Sequence, residues 1–310
     1  MSWIFLAAGA QLINAVVAMV DKYLVTDEKR IPRPFVYAFY TSLVTAFWLV
    51  IYPLGYIPGL SGLGIPSFSN IKMPTLEVMA LAFFSAYTFF IAIVSLYGTL
   101  KRADTSDVMP VVGAVSAIVT FGLSYLFLSA QHSPNFIWGI LLLATGTFMV
   151  SHLRFNTNIA LAAFHSGLFF ALHYISMKGM FIATNFDDAF FWSRIALVLF
   201  ALSWLLVPNY LELIKSQNKV TSKNTGLLIF GTKLLAGVAA FMILKATDLG
   251  DVAVVQALDG LKFVFILLIG VLVGRWLPAS AGESDRSLLT LARKFIYVTV
   301  ICVGFILLFR

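Results

Sequence analysis

Ten mostly apolar runs, each 17 to 24 residues long, alternate with polar connections along the chain. They fall at about residues 3–24, 35–55, 75–98, 106–128, 135–152, 159–181, 187–207, 225–246, 251–273 and 293–309. A helix rises 1.5 Å per residue, so roughly 20 residues cross the hydrocarbon core of a bilayer. The pattern predicts an all-α, polytopic membrane protein with ten transmembrane helices. Most connections are short. Two are longer: a Gly/Pro/Ser-rich loop at 54–74, and 275–292, which carries Pro278, Glu283, Asp285 and Arg286.

The runs are not independent of one another. Leu100-Lys101-Arg102-Ala103-Asp104-Thr105-Ser106-Asp107-Val108 recurs as Leu244-Lys245-Ala246-Thr247-Asp248-Leu249-Gly250-Asp251-Val252, with Leu, Lys, Asp, Asp and Val matching at an offset of 144. Lys22 matches Lys178 at an offset of 156, Pro53 matches Pro208 at 155, and Gly146 matches Gly304 at 158. The offset falls by about 12 where the first half carries its longer Gly/Pro loop, as expected of a duplication with one insertion. The expected units are residues 1–153 and 154–310, each with five helices. Five is odd, so the second unit enters the membrane from the opposite side. Inverted repeats of this kind are common in secondary transporters, with the solute near the midplane between them.

The ninth run holds an anomaly. Gln256, Asp259 and Lys262 lie at three-residue steps near its middle, where an ionised side chain costs at least ~2.5 kcal/mol to insert. On a helix they share a face, and the acid and base partly compensate each other. The repeat offers a control. His173 corresponds to Val17, Arg194 to Phe39, Lys233 to Phe89, Gln256 to Val112, Asp259 to Val115 and Lys262 to Ile118. The first half manages with apolar residues at all six places, so polarity there is not required by the fold. Three bases (Arg194, Lys233, Lys262) face one acid (Asp259), with His173 titratable. That balance predicts a cationic cavity for an anionic or zwitterionic solute, with Arg194 gripping a carboxylate or phosphate bidentately. The alternative is a satisfied Asp259–Lys262 pair with Lys233 and Arg194 snorkelling to the headgroups. Asn14 is the lining residue expected from the first half, on a stripe with Gln11 and Asp21. Tyr174 and Trp192 are candidates for aromatic walls, against the commoner role of single Trp and Tyr residues near helix ends as interfacial anchors. Lys22 and Lys178 are expected at the interface. The small and hydroxyl residues of the third and fourth runs read chiefly as close helix packing.

Composition narrows the class. The chain is 60% apolar and 11% charged, against about 25% charged in a soluble domain. Its +7 charge reads as loop charge that orients membrane helices rather than as a nucleic-acid surface. Cys302 is the single cysteine, which excludes an intramolecular disulfide and argues against a Cys-based metal site. The first run begins at Trp3 without a basic leader and is expected to be a retained helix.

A family resemblance follows. The first helix ending Asn14-Ala15-Val16-Val17-Ala18-Met19-Val20-Asp21-Lys22-Tyr23-Leu24, the fourth-helix entry Leu100 to Pro110 with Leu126-Phe127-Leu128 after it, and a fifth helix with Gly146 resemble EamA-type members of the drug/metabolite transporter superfamily. The resemblance covers nearly the whole chain. It departs at Leu128-Ser129-Ala130-Gln131, where the family carries Leu-Gly-Glu, and at Arg275-Trp276-Leu277-Pro278. It implies a ten-helix transporter of small organic solutes, often an exporter, and does not name the solute.

The function expected is a secondary transporter of a small polar, anionic or zwitterionic, metabolite by alternating access. The rivals are a membrane-embedded sensor of the same solute and a transporter of a cationic or lipophilic solute centred on Asp259. Neither a catalytic grouping nor a nucleotide-binding motif stands in the sequence, so an enzyme and an ATP-driven pump are not expected, and no cofactor or metal is. The expected partners are the solute and the lipid bilayer, with no nucleic acid. Proton coupling stays open, with Asp259 and His173 as the titratable groups, as does a monomer or a homodimer. Odd-numbered loops carry thirteen Lys and Arg, and even-numbered loops with the C-terminal end carry three, Lys72, Lys245 and Arg310. That count places both termini outside, whereas the family resemblance implies both in the cytoplasm of a cell (inner) membrane.

Overall fold

The computed structural model describes residues 2–27, 30–31, 33–57, 65–128, 134–151, 157–273 and isolated positions between 293 and 307. Every regular element among the described residues is helical. Five long helices run uninterrupted: α1 (Ser2–Thr26), α3 (Leu76–Leu100), α4 (Thr105–Leu128), α6 (Thr157–Ala183) and α9 (Lys223–Leu249). Shorter ones are α2 (Pro34–Val44), α5 (Pro134–Ser151), α7 (Phe186–Ser203), α8 (Pro208–Val220), α10 (Val252–Ala257) and α11 (Gly260–Val273). Eight helical stretches among the described residues are long and apolar enough to cross a membrane. The chain is an integral, multi-pass membrane protein. The predicted tenth run and the Leu128-Ser129-Ala130-Gln131 and Arg275–Pro278 turns lie largely outside the described residues.

Three predicted runs are not simple α-helices. The second changes from α to a tighter 3₁₀ helix at Thr45–Tyr56. There Thr41, Ser42 and Thr45 turn their hydroxyls back onto the carbonyls of Tyr37, Ala38 and Ser42, which competes with the α-helical ladder, and Pro53 supplies no N–H further on. The seventh closes with one 3₁₀ turn, Trp204–Leu206. The ninth, expected to be continuous, breaks at Leu258–Asp259 into α10 and α11.

A further correction concerns residues 208–220. They were expected to be a polar connection and form α8, which Pro208 opens at its first turn, where the missing N–H costs nothing. It docks beside α2. Tyr210 stacks on Phe35 with centroids 4.4 Å apart, and Arg33 Nη1 donates to Ser216 Oγ at 2.7 Å.

Helices of the two sequence halves interleave. α3 packs along α6 and α7, α9 packs along α1, and α4 lies against α6, α10 and α11. Where α6 passes α4 it carries Gly167, and a Cβ there would meet Val112 O at 2.7 Å. Among the described residues, three apolar clusters fill the contacts between helices.

Lys22 and Lys178, expected at the interface, fasten helix junctions. Lys22 Nζ donates to Ala103 O at 2.8 Å and pairs with Asp104 Oδ1 at 2.7 Å. Lys178 Nζ donates to Thr247 O, Asp248 O and Gly250 O at 2.8, 3.1 and 2.9 Å. Ala103 and Thr247 stand at the 144 offset of the sequence match, so matched lysines hold matched carbonyls. An ammonium at a helix C-terminus satisfies carbonyls that the ladder leaves open and favours the dipole.

Candidate functional site

A cavity of about 150 Å³ opens between α1, α2, α3, α4, α6, α9, α10 and α11. Its walls bring together five of the seven residues singled out from the sequence: Asn14, Lys233, Gln256, Asp259 and Lys262. The remaining two, His173 and Arg194, line a second cavity of about 70 Å³. The cavities adjoin, because Thr41, Phe89, Tyr174, Lys233, Ala236 and Ala240 line both.

Lys233 is 4% exposed and does not snorkel. Its Nζ lies 2.7 Å from Asp21 Oδ1 on α1 and donates to the Tyr97 hydroxyl on α3 at 2.9 Å. The Tyr37 hydroxyl on α2 donates to the same carboxylate oxygen at 2.5 Å. Thr41 Oγ1 stands 3.2 Å from the Tyr97 hydroxyl. The Thr41 proton goes to the Tyr37 carbonyl, so Tyr97 donates to Thr41 while accepting from Lys233. The ammonium also sits over the rings of Tyr37 and Tyr97, 4.3 and 5.0 Å from their centroids, a geometry that stabilises a desolvated cation. The ammonium, Asp21 Oδ1 and the hydroxyls of Tyr37, Thr41 and Tyr97 each have a partner, and such partners offset the desolvation of a buried pair.

The break in the ninth run positions the second pair. Asp251 caps α10, its Oδ1 accepting from Ala253 N and Val254 N at 2.8 and 3.1 Å. At the break the backbone bonds run three residues back: Asp259 N to Gln256 O, Leu261 N to Leu258 O and Lys262 N to Asp259 O. Gly260 follows, a poor helix former. Lys262 Nζ grips both oxygens of Asp259 at 2.8 and 2.9 Å. The carboxylate fits because α4 presents Gly113, where a Cβ lies 2.8 Å from Asp259 Oδ2. Gln256, one turn earlier, accepts from Ser116 Oγ at 3.2 Å.

Arg194 differs from both lysines. It is 5% exposed. Its contacts are a long bond from Nε to Ser193 Oγ at 3.4 Å and the Phe190 ring, 5.2 Å from the guanidinium carbon. No carboxylate among the described residues pairs with it. Beside it, His173 Nδ1 meets Ser85 Oγ at 2.8 Å and the Ser85 carbonyl at 3.2 Å, and its ring packs on Phe89 with centroids 4.9 Å apart.

The charge count therefore changes. Three bases against one acid becomes three against two, because Asp21 enters the cavity wall. Lys233 and Lys262 are neutralised locally, and Arg194 is neutralised by none of the described residues. Asp21 is marked in the sequence only as part of the Asn14 stripe, and Tyr37, Thr41 and Tyr97 are not marked at all, because the six correspondences run from polar residues of the second half to the first. Read the other way, at offsets of 156, 155, 155 and 144, they face Met177, Trp192, Ala196 and Phe241. Trp192, a candidate wall as against an interfacial anchor, donates its Nε1 to Lys72 O and Asp188 Oδ1 at 3.0 and 3.1 Å and lines neither cavity. Asn14 does line the larger one and bonds Gln11 Oε1 at 3.5 Å.

No family model matches the chain, and no curated protein matches it. Twenty-eight chains of solved structures do. One, described only as the crystal structure of a protein, superposes with a TM-score of 0.63 at 16% identity, over 99% of this chain and 96% of that one. The likeness extends over the full length of both and is one of fold.

Proposed function

We propose that this protein is a secondary transporter of a small anionic or zwitterionic metabolite, built as ten helices in two inverted five-helix repeats of the EamA type. The observation that carries the reading is Arg194: a buried guanidinium without a carboxylate partner among the described residues, on the wall of a cavity whose sides come from both sequence halves. An uncompensated buried cation costs several kcal/mol, and an anion that visits the cavity offsets that cost. The interrupted ninth helix supports it further, since discontinuous helices whose ends face the solute are a recurring device of transporters. The matched Lys22 and Lys178 contacts and the cross-packing of α3 on α6 and α9 on α1 are what duplicated, interleaved halves lead one to expect. Alternating access then moves one set of helices against the other around the cavity.

Counterflow in proteoliposomes tests this. Preloaded unlabelled solute should drive transient accumulation of the labelled compound for at least one member of a panel of organic acids and amino acids, and Arg194→Gln should abolish it. Binding without counterflow for every member identifies a sensor instead. Counterflow restricted to amines, and lost in Asp259→Asn, identifies a cation carrier.

A further inference from the structure

The two adjoining cavities differ in chemistry, and the difference specifies a ligand more narrowly. The smaller one holds Arg194, whose two terminal nitrogens have no partner among the described residues. The larger one holds both ion pairs, and otherwise its walls are largely apolar, among them Phe89, Ile93, Leu96, Met109, Phe170 and Ile243. Its volume, about 150 Å³, is that of an apolar cavity known to take one benzene ring. The charges that line the pair are Lys233, Lys262 and Arg194 against Asp21 and Asp259, a surplus of one positive charge. A single negative charge balances it. A second would enter a low-dielectric space without a counter-charge.

We propose that the joined cavities form one amphipathic site: Arg194 takes the head of a monoanion, and the adjoining apolar space takes a body of about one ring. The inference rests on the anion reading above and departs from it in one respect, because the solute is apolar outside its charged group. Lys233 and Lys262 serve as walls, each held by its own carboxylate. Arg194 presents the planar fork that a carboxylate matches bidentately. Tyr174 and Phe89, which line both cavities, flank the passage from head to body.

Titration of the purified protein at pH 7.5 with benzoate, cyclohexanecarboxylate, succinate, inorganic phosphate and benzylamine tests the inference. Benzoate and cyclohexanecarboxylate should bind, with succinate, phosphate and benzylamine at least about tenfold weaker. A charge-assisted hydrogen bond contributes ~1.5–3 kcal/mol, so Arg194→Gln should weaken benzoate at least about tenfold, and more than Lys262→Gln does. Arg194→Lys, which keeps the charge and loses the fork, should fall between wild type and Arg194→Gln and guards against a folding defect in the latter. Lys245→Gln, at a partly exposed pair with Asp248, should bind as wild type does. Preference for succinate or phosphate, no binding of either monocarboxylate, or a greater loss at Lys262 than at Arg194 would each overturn the proposal. Arg194-dependent benzoate binding without benzoate counterflow would overturn only the transporter reading and leave this site standing.

Discussion

Two clusters occupy matched places in the sequence repeat and are built from opposite materials. One is ionic: Asp21 and Lys233, with Tyr37, Tyr97 and Thr41 bonded around them. The offsets that lead from the first half to the second turn Asp21 into Met177, Tyr37 into Trp192 and Tyr97 into Phe241, and carry Phe89 onto Lys233. Phe89, Met177, Trp192 and Phe241 fall in a single apolar cluster. One helical frame thus holds either a bonded polar network or a plain hydrophobic contact. Folding requires neither kind in particular, so the ionic cluster reports on what the cavity does. The polarity is also shared between halves, since Lys233 comes from one and Asp21 and both tyrosines from the other.

The largest expected effect comes from breaking the ionic cluster on one side. Lys233→Met leaves the Asp21 carboxylate buried with only Tyr37 as donor. Removing one partner of a buried pair costs ~3–5 kcal/mol. Unfolding in mixed micelles should show a loss of that order, and a loss below about 1 kcal/mol would mean that Asp21 finds water or another donor.

Replacing the cluster by its counterpart sharpens the comparison. Asp21→Met combined with Lys233→Phe installs the residues that stand at 177 and 89. The double variant should regain at least about 2 kcal/mol relative to the sum of the single ones, within the range found for residues in direct contact. It should also fold while losing counterflow. A double variant as unstable as that sum would show that the matched places are not interchangeable.

Much of this arrangement was legible in the chain, and the gaps have physical causes. The long runs could be read because a bilayer imposes length and apolarity together. Arg194, Lys233 and Lys262 stood out because charge is rare in such runs. Asp21 was read as a mild polar stripe, since its partners Lys233 and Tyr37 lie 212 and 16 residues away, and pairing at that separation leaves no local pattern. The break at Asp259 was invisible because apolar residues continue on both sides of it. The helix at 208–220 was missed because its apolar face covers only α2 and its neighbours, while its average composition is that of a loop.

A smaller effect tests the second pair, which has no ionic counterpart: Val115 and Ile118 stand at the places matched to Asp259 and Lys262. Gly113→Ala puts a methyl group 2.8 Å from Asp259 Oδ2, so the carboxylate must shift. Overpacking of this kind costs ~1–3 kcal/mol, and restoring space by Asp259→Asn does not relieve it, because the amide has the same shape. Asp259→Ala should relieve it, at the expense of leaving Lys262 unpaired. Gly113→Ala is therefore expected to lower stability modestly in wild type and hardly at all in Asp259→Ala. Equal losses in both backgrounds would mean that the methyl group strains α4 itself, and that Gly113 serves helix packing rather than the seating of the ion pair.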